Sequence, residues 1–483
     1  MSNVVSFLPS AAAAPVIDST IRERFDAQGP VALGLRQSTV AERIAKIKKL
    51  KAAVLAHRAD FLNAGEADFR KPPAEVELTE IMPVIAEAND AIRKLRAWAK
   101  PTRVWPSRTS LGLKAWVQYE PRGRCLIISP WNYPVNLSLG PLISAVAAGN
   151  AVILKPSEMT PANSALLGRL VKEVFAENEV TVVEGDARVS AALLELPFDH
   201  IFFTGSPAIG KLVMAAAAKH LTSVTLELGG KSPTVVDASA DVRLAARTIL
   251  WGKFTNNGQT CIAPDHVYVD NTIKTAFVAE CQKALADSYG ADAAAQQNSP
   301  YLARIVNERH TARLKGLLDD ATARGAKVLA GGAVNQAEHY IAPTLLGDIP
   351  DDARIQSEEI FGPLLPIIGF DRLENVIARI NAEPKPLALY IWSQTEANIQ
   401  RLLKQTSAGG TCINHTVVQF VHGNLPFGGV NNSGMGNAHG HYGFRTFSHE
   451  RAVIRTQFML AKLFFPPYTG MMRKIIDWLI KLV

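Results

Sequence analysis

Residues 125–155 read CLIISPWNYPVNLSLGPLISAVAAGNAVILK. This stretch contains two short apolar runs, Cys125–Ile128 and Ala151–Leu154, on either side of a longer apolar segment, Leu137–Ala148. The short runs have the length of buried strands, and the longer segment has the length and spacing of a helix. A strand, a helix and a second strand in this order form the basic unit of a parallel sheet.

The same alternation continues to residue 228. Further strand-like runs occupy Thr181–Val183, Ile201–Phe203 and Val224–Leu228, and helical segments occupy Ala162–Ala176, Val189–Leu194 and Ala208–Lys219. Apolar strands that alternate with helices predict a doubly wound α/β fold around a parallel sheet. Such sheets bind ligands at the carboxyl ends of their strands, so polar residues that follow a strand are the first candidates for a functional site.

The regions on either side of this sheet have their own patterns. A second alternating region extends from Pro233 to about Thr411, with helical candidates at Val242–Trp251, Lys274–Tyr289 and Ile305–Arg324. Ahead of the first sheet, Lys114–Tyr119 alternates between polar and apolar residues and predicts a strand away from the main sheet. No internal repeat at a fixed period is present, which excludes solenoids and propellers.

The charge balance excludes one class of partner. The chain has 483 residues, with 51 basic and 44 acidic side chains and a net charge of +7. The densest basic run, Lys46–Lys51, lies in a segment with apolar residues at helical spacing, and Thr39 and Glu42 form a capping-box pattern ahead of it. We expect these lysines on the solvated face of a helix, and we expect no nucleic acid as a partner.

The spacing of the cysteines and the sequence of the N-terminus indicate the cellular location. Four cysteines lie far apart without a Cys-x-x-Cys pair (Cys125, Cys261, Cys281 and Cys412). This spacing predicts neither a metal site nor a disulfide framework, and it favours a reducing, cytoplasmic location. Residues 1–20 lack the basic segment of a signal peptide and are expected to be a flexible N-terminus. No window has the roughly 18 uninterrupted apolar residues of a membrane-spanning helix.

Residues 466–483 form an amphipathic C-terminal tail. Apolar side chains from Met472 to Val483 recur on one broad helical stripe, and basic residues such as Lys481 lie elsewhere. One interpretation is a helix docked on its own or a partner subunit. The other is an interfacial helix with a Trp anchor, which gives peripheral contact with a membrane.

Three residues are candidates for catalytic chemistry. Glu227 lies within the apolar run VTLELGGKSP (224–233), and a buried carboxyl has the raised pKa that a general base needs at neutral pH. Cys261, in the loop FTNNGQTCIAP (254–264), could be a thiol nucleophile. Asn132, in SPWNYP (129–134), follows the first strand and could donate a hydrogen bond to an oxyanion. Taken singly, each has a simpler explanation as an outward-facing acid, an inert thiol or a turn residue.

Three further segments have residues suited to a dinucleotide. In LKPSE (154–158), Lys155 and Glu158 could hydrogen-bond the hydroxyls of a ribose. In FTGSPAIGK (203–211), Gly205 allows close backbone approach and a helix N-terminus could bind a phosphate, although the spacing is GxxxxG rather than GxGxxG. In SEEIFGP (357–363), Glu359 could accept from sugar hydroxyls and Phe361 could form an apolar wall.

The joint occurrence of these segments, in this order, resembles the aldehyde dehydrogenase superfamily from about Thr39 to Glu450. PWNYP, LKPSE, FTGS, LELGGKSP, GQTC, EEIFGP and LPFGG all match its motifs. Within the superfamily, KPSE, QTCIAPD, NSGMG and FRTFSH are most similar to the class 3 fatty and aromatic, or coniferyl-type, branch.

The resemblance implies an α/β protein in several parts. These are a flexible N-terminus (1–20), a Rossmann-like dinucleotide-binding domain with a five-stranded core sheet (21–104 and 121–230), an α/β catalytic domain (231–412), a small β bridging or oligomerisation region (105–120 and 413–465) and the tail (466–483). The bridging strands imply a homodimer, since closed twofold symmetry is common among oligomers.

The resemblance also implies a mechanism and a cofactor. Cys261 attacks an aldehyde to give a thiohemiacetal and then a thioester, Asn132 and the Cys261 N–H hold the oxyanion, and Glu227 activates the thiol and the hydrolytic water. The product is a carboxylic acid. The implied cofactor contacts are Trp131, Lys155, Glu158, Gly205, Ser206, Glu359 and Phe361. Because the Glu158 carboxylate should repel a 2′-phosphate, NAD is expected to be preferred, with NADP also accepted.

Two departures and three alternatives remain. His415 stands where the branch usually has an acid, and Asn431 where it usually has glycine. Because residues 416–424 line the family's substrate entrance, chain-length and aromatic preference stay open. The alternatives are a CoA-acylating dehydrogenase, a cysteine acyltransferase or hydrolase that uses Cys261 with His266 as the nearest base, and a non-enzymatic protein of the membrane surface.

Overall fold

The computed structural model describes residues 19–107, 110, 112–458 and 465–482. The predicted flexible N-terminus lies outside these ranges except for Ser19 and Thr20, which begin the first helix.

The described strands, in chain order, are β1 (Thr102–Val104), β2 (Leu113–Pro121), β3 (Arg124–Ile128), β4 (Ala151–Lys155), β5 (Val180–Val182), β6 (His200–Gly205), β7 (Ser223–Leu228), β8 (Pro233–Val236), β9 (His266–Asp270), β10 (Lys327–Ala330), β11 (Val334–Asn335), β12 (Tyr340–Ile341), β13 (Thr344–Gly347), β14 (Leu364–Phe370), β15 (Ala388–Trp392), β16 (Gly410–Ile413), β17 (Gly434–Met435) and β18 (Ser448–Thr456).

The described α-helices are α1 (Ser19–Leu35), α2 (Val40–Ala56), α3 (Arg58–Phe69), α4 (Pro73–Val76), α5 (Met82–Trp98), α6 (Asn136–Ala148), α7 (Pro161–Val174), α8 (Ala187–Leu194), α9 (Pro207–Ala218), α10 (Val242–Phe254), α11 (Lys274–Tyr289), α12 (Ala293–Gln297), α13 (Glu308–Ala323), α14 (Arg354–Ser357), α15 (Leu373–Ala382), α16 (Glu396–Gln405), α17 (Gly440–Thr446) and α18 (Gly470–Leu482). A π-helical turn covers Glu77–Ile81, and 3₁₀ turns cover Thr255–Gly258 and Val418–Val421.

The first large sheet contains the strands that residues 125–228 predict. Its order in the described chain is β17-β7-β6-β3-β4-β5, and β3 to β7 pair in parallel. The predicted α/β class and the five parallel strands are confirmed. The short β17, which pairs antiparallel with β7, was not predicted, because two residues in a glycine-rich segment have no strand pattern of their own.

Both faces of this sheet are covered, as the continuous apolar strands predict. Cys125 and Ile127 of β3 pack in a core shared with α2, α5, α6 and α7. The alternate residues of β3, Leu126 and Ile128, pack in a second core shared with α1, α8 and α9. In open sheets of this kind ligands bind outside the carboxyl ends of the strands.

The second large sheet has the order β10-β13-β14-β9-β8-β15-β16 among the described strands. All its strands pair in parallel except β10, which is antiparallel to β13. The loop before β9 carries Cys261, so this sheet supplies the nucleophile candidate and the first sheet supplies Glu227 and Asn132.

A separate three-stranded sheet has the order β1-β2-β18 in the described chain. Its central strand contains Lys114–Tyr119, as predicted. Residues 413–465 are expected to belong wholly to this bridging region; their described part is divided instead, and residues 459–464 lie outside the described ranges. Strand β18 pairs with β2, whereas β17 joins the first sheet and Phe444 of α17 is buried in the core around α6. The reason is that Phe444 of α17 and the following Phe447 are buried in the core that contains residues of α5 and α6.

Candidate active site

The loop that carries Cys261 begins with an unusual turn. Asn256, Asn257 and Gly258 follow α10 with φ angles of 54°, 53° and 74°. Asparagine and glycine are the residues that tolerate this left-handed region, so the sequence NNG allows three such residues in a row. The turn brings the chain back from the end of α10 and leads directly into Gln259, Thr260 and Cys261.

Gln259 is a fully buried amide whose hydrogen bonds fix this loop. Its Nε2 donates to the carbonyl oxygens of Asn256 and Arg304, both at 3.0 Å. Its Oε1 accepts from the backbone N–H of Val306 at 3.0 Å. A buried amide with its donors and acceptor satisfied leaves the loop little freedom, because each lost bond would strand a polar group away from water.

The segment after β3 docks onto the same loop. Asn132 Nδ2 donates to the Gln259 carbonyl at 3.0 Å, and Asn256 Nδ2 donates to the Asn132 carbonyl at 2.8 Å. The hydroxyls of Tyr133 and Thr260 lie 2.6 Å apart. The structure therefore brings Asn132 next to the loop that carries Cys261, although one of its N–H hydrogens is directed to the loop itself.

A buried ion pair that sequence reasoning missed holds the chain just after Asn132, at the start of α6. Lys71 Nζ and Glu80 Oε1 are 2.9 Å apart, and their side chains are 1% and 2% exposed. Glu80 Oε2 accepts from the backbone N–H groups of Val135 and Asn136, at the start of α6. No local pattern marks this contact, because Glu80 belongs to the π-helical turn, more than fifty residues earlier in the chain.

Glu227 is buried, as the apolar run around it predicts. It lies in β7 with 6% of its surface exposed, and its Oε1 has no hydrogen-bond partner in the described part of the chain. Burial raises the pKa of Glu227 to about 8. A carboxyl that titrates near neutral pH can both take and return a proton there, which suits a general base.

Cys261 is a free, half-buried thiol. Burial, with the nearby carboxyls of Glu227 and Glu359, raises its pKa to about 12, while the backbone N–H groups of Cys261 and Ile262 act in the opposite direction. The group is therefore a thiol rather than a thiolate at neutral pH, and it needs a base to become nucleophilic. Cys125, Cys281 and Cys412 are buried in strands or a helix, as the sequence predicts.

Cys261 and Glu227 line the same cavity, whose volume is about 180 Å³. Most of the other lining residues are apolar, namely Leu78, Met82, Tyr133, Leu137, Leu228, Trp251, Ile262, Leu387, Val417, Val418, Phe420, Val421 and Phe427. Several of these are exposed at the surface, including Leu78 and Trp251, so the apolar wall extends to the cavity mouth. His439, which sequence reasoning missed, also lines the cavity, and burial lowers its pKa to about 4.

The carboxyl edge of the first sheet has polar groups that fit a dinucleotide. Lys155, at the end of β4, is buried with its Nζ 2.9 Å from Glu158 Oε2. Gly205 ends β6, and Ser206 caps α9, where its hydroxyl accepts from the Ile209 N–H. The hydroxyls of Ser129 and Thr204, at the same edge, are buried without a hydrogen-bond partner among the described residues. Unpaired buried hydroxyls at this position fit a bound polar ligand.

Glu359 and Phe361 belong to a loop fixed by a buried ion pair. Asp265 pairs with Lys231 and accepts from the N–H of Ile360 at 2.9 Å. Lys231 also donates to the carbonyl of Glu358. Glu359 Oε1 accepts from the Gly230 N–H at 3.1 Å, and burial raises the pKa of Glu359 to about 7.

An aromatic cluster lies beside this loop. The rings of Trp131 and Phe361 pack edge to face at 5.4 Å, and the ring of His310 lies 5.1 Å from that of Trp131. Sequence reasoning missed His310, whose ring nitrogens have no hydrogen-bond partner in the described ranges. Burial, with help from Arg313 and Arg309, lowers its pKa to about 4, so it is neutral. The predicted residues Trp131 and Phe361 are thus in contact, and Glu359 lies two residues before Phe361 in the same loop.

The two departures from the branch pattern have structural explanations. Asn431 has a φ of 54°, the left-handed region that favours glycine, and asparagine is the residue that best replaces glycine there. Its side chain also accepts from Lys385 Nζ at 2.9 Å. His415 lies in an outer groove against Trp251, with ring centroids 6.3 Å apart, and does not line the cavity of Cys261.

No cluster of three or more candidate metal ligands occurs among the residues that the structure describes. In the same ranges, no helix is long and apolar enough to cross a bilayer.

Comparisons with known proteins identify the family of this chain. The model of the aldehyde dehydrogenase family matches residues 9–453. The dimeric, NADP-preferring aldehyde dehydrogenase of Rattus norvegicus is 43% identical over 412 residues, which cover 85% of this chain and 89% of the relative. The probable coniferyl aldehyde dehydrogenase of Pseudomonas aeruginosa is 42% identical over 437 residues, which cover 90% and 91%.

A solved structure gives the same result. The substrate-bound state of Staphylococcus aureus AldH superposes with a TM-score of 0.90 at 39% identity, and the match covers 95% of this chain and 99% of that chain. The chain belongs to the aldehyde dehydrogenase family, and its relatives include the coniferyl and family 3 members that the sequence motifs resemble. Members of this family are oxidoreductases that oxidise aldehydes with NAD(P).

The raised pKa of Glu227 predicts how its removal changes stability with pH. The folded state holds a proton on Glu227 up to about pH 8, whereas the unfolded chain releases it near 4.5, so this group destabilises the fold increasingly as pH rises between these values. We expect Glu227→Gln to melt at a higher temperature than the wild type at about pH 9, and the difference to vanish toward pH 5. Calorimetry across this pH range measures the difference in melting temperature, and the surface variant Glu195→Gln is the control. A difference that does not depend on pH would contradict the assignment.

Proposed function

We propose that this protein oxidises a medium- or long-chain aliphatic or an aromatic aldehyde to the carboxylic acid, with NAD as the preferred cofactor and NADP also accepted. The observation that carries the proposal is that a thiol, Cys261, and a buried carboxyl, Glu227, line one apolar cavity. We further assign the protein to the cytoplasm.

Proton transfer comes first. The Glu227 carboxylate takes the proton from Cys261 Sγ, directly or through a water molecule, and the thiolate attacks the aldehyde carbon to give a thiohemiacetal. The developing oxyanion is held by the Cys261 N–H and by Asn132 Nδ2. Only one Nδ2 hydrogen is used on the Gln259 carbonyl, so the second is available to the substrate.

Cofactor binding is assigned to the residues of the sheet edge and the aromatic cleft. Lys155 and Glu158 would hold the adenosine ribose, Gly205 and Ser206 the pyrophosphate, and Glu359 the nicotinamide ribose, with Trp131 and Phe361 beside the ring. Bound NAD supplies the acceptor for the hydride that leaves the substrate carbon. Glu227 then activates the water that hydrolyses the Cys261 thioester and releases the acid.

The substrate class rests on the cavity wall. Most of its lining residues are aliphatic or aromatic, so a charged or heavily hydroxylated aldehyde would lose more hydration than the few polar groups there could replace. An apolar aldehyde gains from burial at about 25 cal/mol per Å². The exposed apolar mouth, which includes Leu78 and Trp251, supports substrates longer than the cavity itself.

The alternatives receive less support. A cysteine hydrolase based on His266 would need that histidine near the thiol, but His266 pairs with Asp265 and lines a different cavity from Cys261. A CoA-acylating enzyme would release the thioester to CoA rather than to water. Glu227, a carboxyl placed in the Cys261 cavity, favours hydrolysis.

The function is tested by reduced-cofactor formation with straight-chain aldehydes of increasing length and with aromatic aldehydes. We expect turnover with NAD, a lower kcat/KM with NADP, and loss of turnover by about a thousandfold or more in Cys261→Ser. Cys281→Ser, which changes a thiol buried in α11, is the matched control and should keep full activity.

Three outcomes would contradict parts of this proposal. Turnover that survives in Cys261→Ser would exclude the nucleophile. Turnover that requires CoA would favour the acylating alternative. An NADP efficiency well above that with NAD would contradict the argument from Glu158.

We infer a homodimer from the bridging sheet. Strand β18 pairs along its full length with β2, and the described residues provide no partner for its other edge. Ile454 on this strand is 63% exposed. Light scattering should give twice the chain mass, and Ile454→Asp should shift it toward the monomer. Val328→Asp, on the exposed edge strand β10, should leave the mass unchanged. A monomeric wild type would refute the inference.

We also assign peripheral membrane contact to α18. Met471, Trp478 and Ile480 are exposed apolar side chains on this helix, and the basic residues Arg473 and Lys474 lie on its polar face. This combination suits an anionic lipid surface. The test is co-sedimentation with vesicles of phosphatidylserine and phosphatidylcholine.

Deletion of residues 466–483 and Trp478→Glu should both reduce co-sedimentation severalfold, and added salt should reduce it further. Leu33→Glu, at an exposed leucine of α1, is the control and should bind like the wild type. Equal binding by the deletion variant, or no binding by the wild type, would exclude membrane contact through α18.

A further inference from the structure

A single segment of the chain, residues 71–82, contacts the active site at three places. Lys71 and Glu80 form the buried pair that holds the start of α6. Leu78, Thr79 and Met82 line the cavity of Cys261. The third contact comes from Glu75 on the short helix α4 and reaches the nucleophile loop itself.

Glu75 Oε2 accepts a hydrogen bond from the backbone N–H of Asn256 at 2.8 Å. Asn256 is fully buried, and it is the first of the three left-handed residues that precede Gln259. Asn256 lies beyond the last residue of α10, and a backbone N–H that is buried in a turn needs an acceptor from elsewhere in the fold. Among the described residues, Glu75 supplies that acceptor.

The position of Glu75 is itself fixed. Its carbonyl accepts from the hydroxyl of Thr79, whose side chain lines the cavity. Its carboxyl lies near Lys71, Tyr133 and Tyr289, and burial raises the pKa of Glu75 to about 7 although Lys71 acts to lower it. The carboxyl therefore links the wall of the cavity to the turn that presents Cys261, without touching the thiol.

We propose that Glu75 is a positioning residue for Cys261, acting through its hydrogen bond to the Asn256 N–H. The proposal rests on the proposed function, in which Cys261 is the nucleophile. The Glu75 oxygen holds the left-handed turn at Asn256. This turn holds the Gln259 carbonyl at hydrogen-bond distance from Asn132. This arrangement fixes the position of the thiol relative to the oxyanion donors. Loss of the acceptor leaves the Asn256 N–H buried and unpaired, so the turn rearranges.

The test compares Glu75→Ala, which removes the acceptor, with Glu75→Gln, which keeps an acceptor oxygen in the same place. We expect Glu75→Ala to lower kcat by about tenfold to a hundredfold with little change in the KM for NAD, since the reacting groups are misplaced while the cofactor site is intact. Glu75→Gln should keep kcat within a few-fold of the wild type. The control Glu77→Ala removes a carboxylate two residues away that pairs with Arg58, and should change neither constant.

A second readout does not depend on aldehyde oxidation. Hydrogen–deuterium exchange of the peptide that spans residues 255–262 should be faster in Glu75→Ala than in the wild type, and unchanged in Glu75→Gln and Glu77→Ala. If the wild type oxidises no aldehyde, the proposed function fails, and the exchange rates still decide the role of Glu75. If Glu75→Ala exchanges and turns over like the wild type, or if Glu75→Gln behaves like Glu75→Ala, the positioning role is refuted.

Discussion

The hydrogen bond from Asn132 to the Gln259 carbonyl joins the two halves of the candidate active site. Asn132 follows a strand of the first sheet, and Gln259 precedes Thr260 and Cys261 in the loop that leads into the second sheet. The reciprocal bond from Asn256 to the Asn132 carbonyl makes the contact two-sided. Because these groups are buried, breaking either bond would leave a polar atom without a partner, so the two segments stay together.

The electrostatics of the site follow from the same burial. Glu227 and Glu359 lie close enough to Cys261 to raise the pKa of its thiol, and their own pKa values are raised by exclusion of water. Three anions in one water-excluded site would repel one another and lack hydration. The raised pKa values therefore mean that Glu227, Glu359 and Cys261 do not all carry a negative charge at neutral pH. The apolar surroundings of this cavity thus also raise the pKa values of Glu227 and Cys261.

The parts of the fold that depend on local pattern could be predicted from the sequence. Strands β3, β4, β6 and β7, the crossover helices and the capping box at Thr39 and Glu42 all lie where the apolar spacing and cap residues indicate. The burial of Glu227 also follows from its apolar neighbours. Each of these depends on a few consecutive residues.

The supports of the site could not be predicted in this way. The acceptor for Asn256 is Glu75, 181 residues earlier in the chain, and the groups that Glu80 holds are 55 and 56 residues away from it. An acid in such a helix has the same local pattern whether it faces water or a buried amide. His439 likewise reaches the cavity only because α17 packs against the first sheet's helices.

The most direct test of the central claim is the intact mass of Glu227→Gln after incubation with a straight-chain aldehyde and NAD. Glu227→Gln lacks the base for both steps, so Cys261 should be acylated only slowly, but the thioester should then persist because no base activates the water, and peptide mapping should locate the acyl group on Cys261. The wild type should hydrolyse this adduct. The double variant that combines Glu227→Gln with Cys261→Ser should not form it. No adduct on Cys261 in Glu227→Gln, while that variant still releases acid at the wild-type rate, would contradict the account.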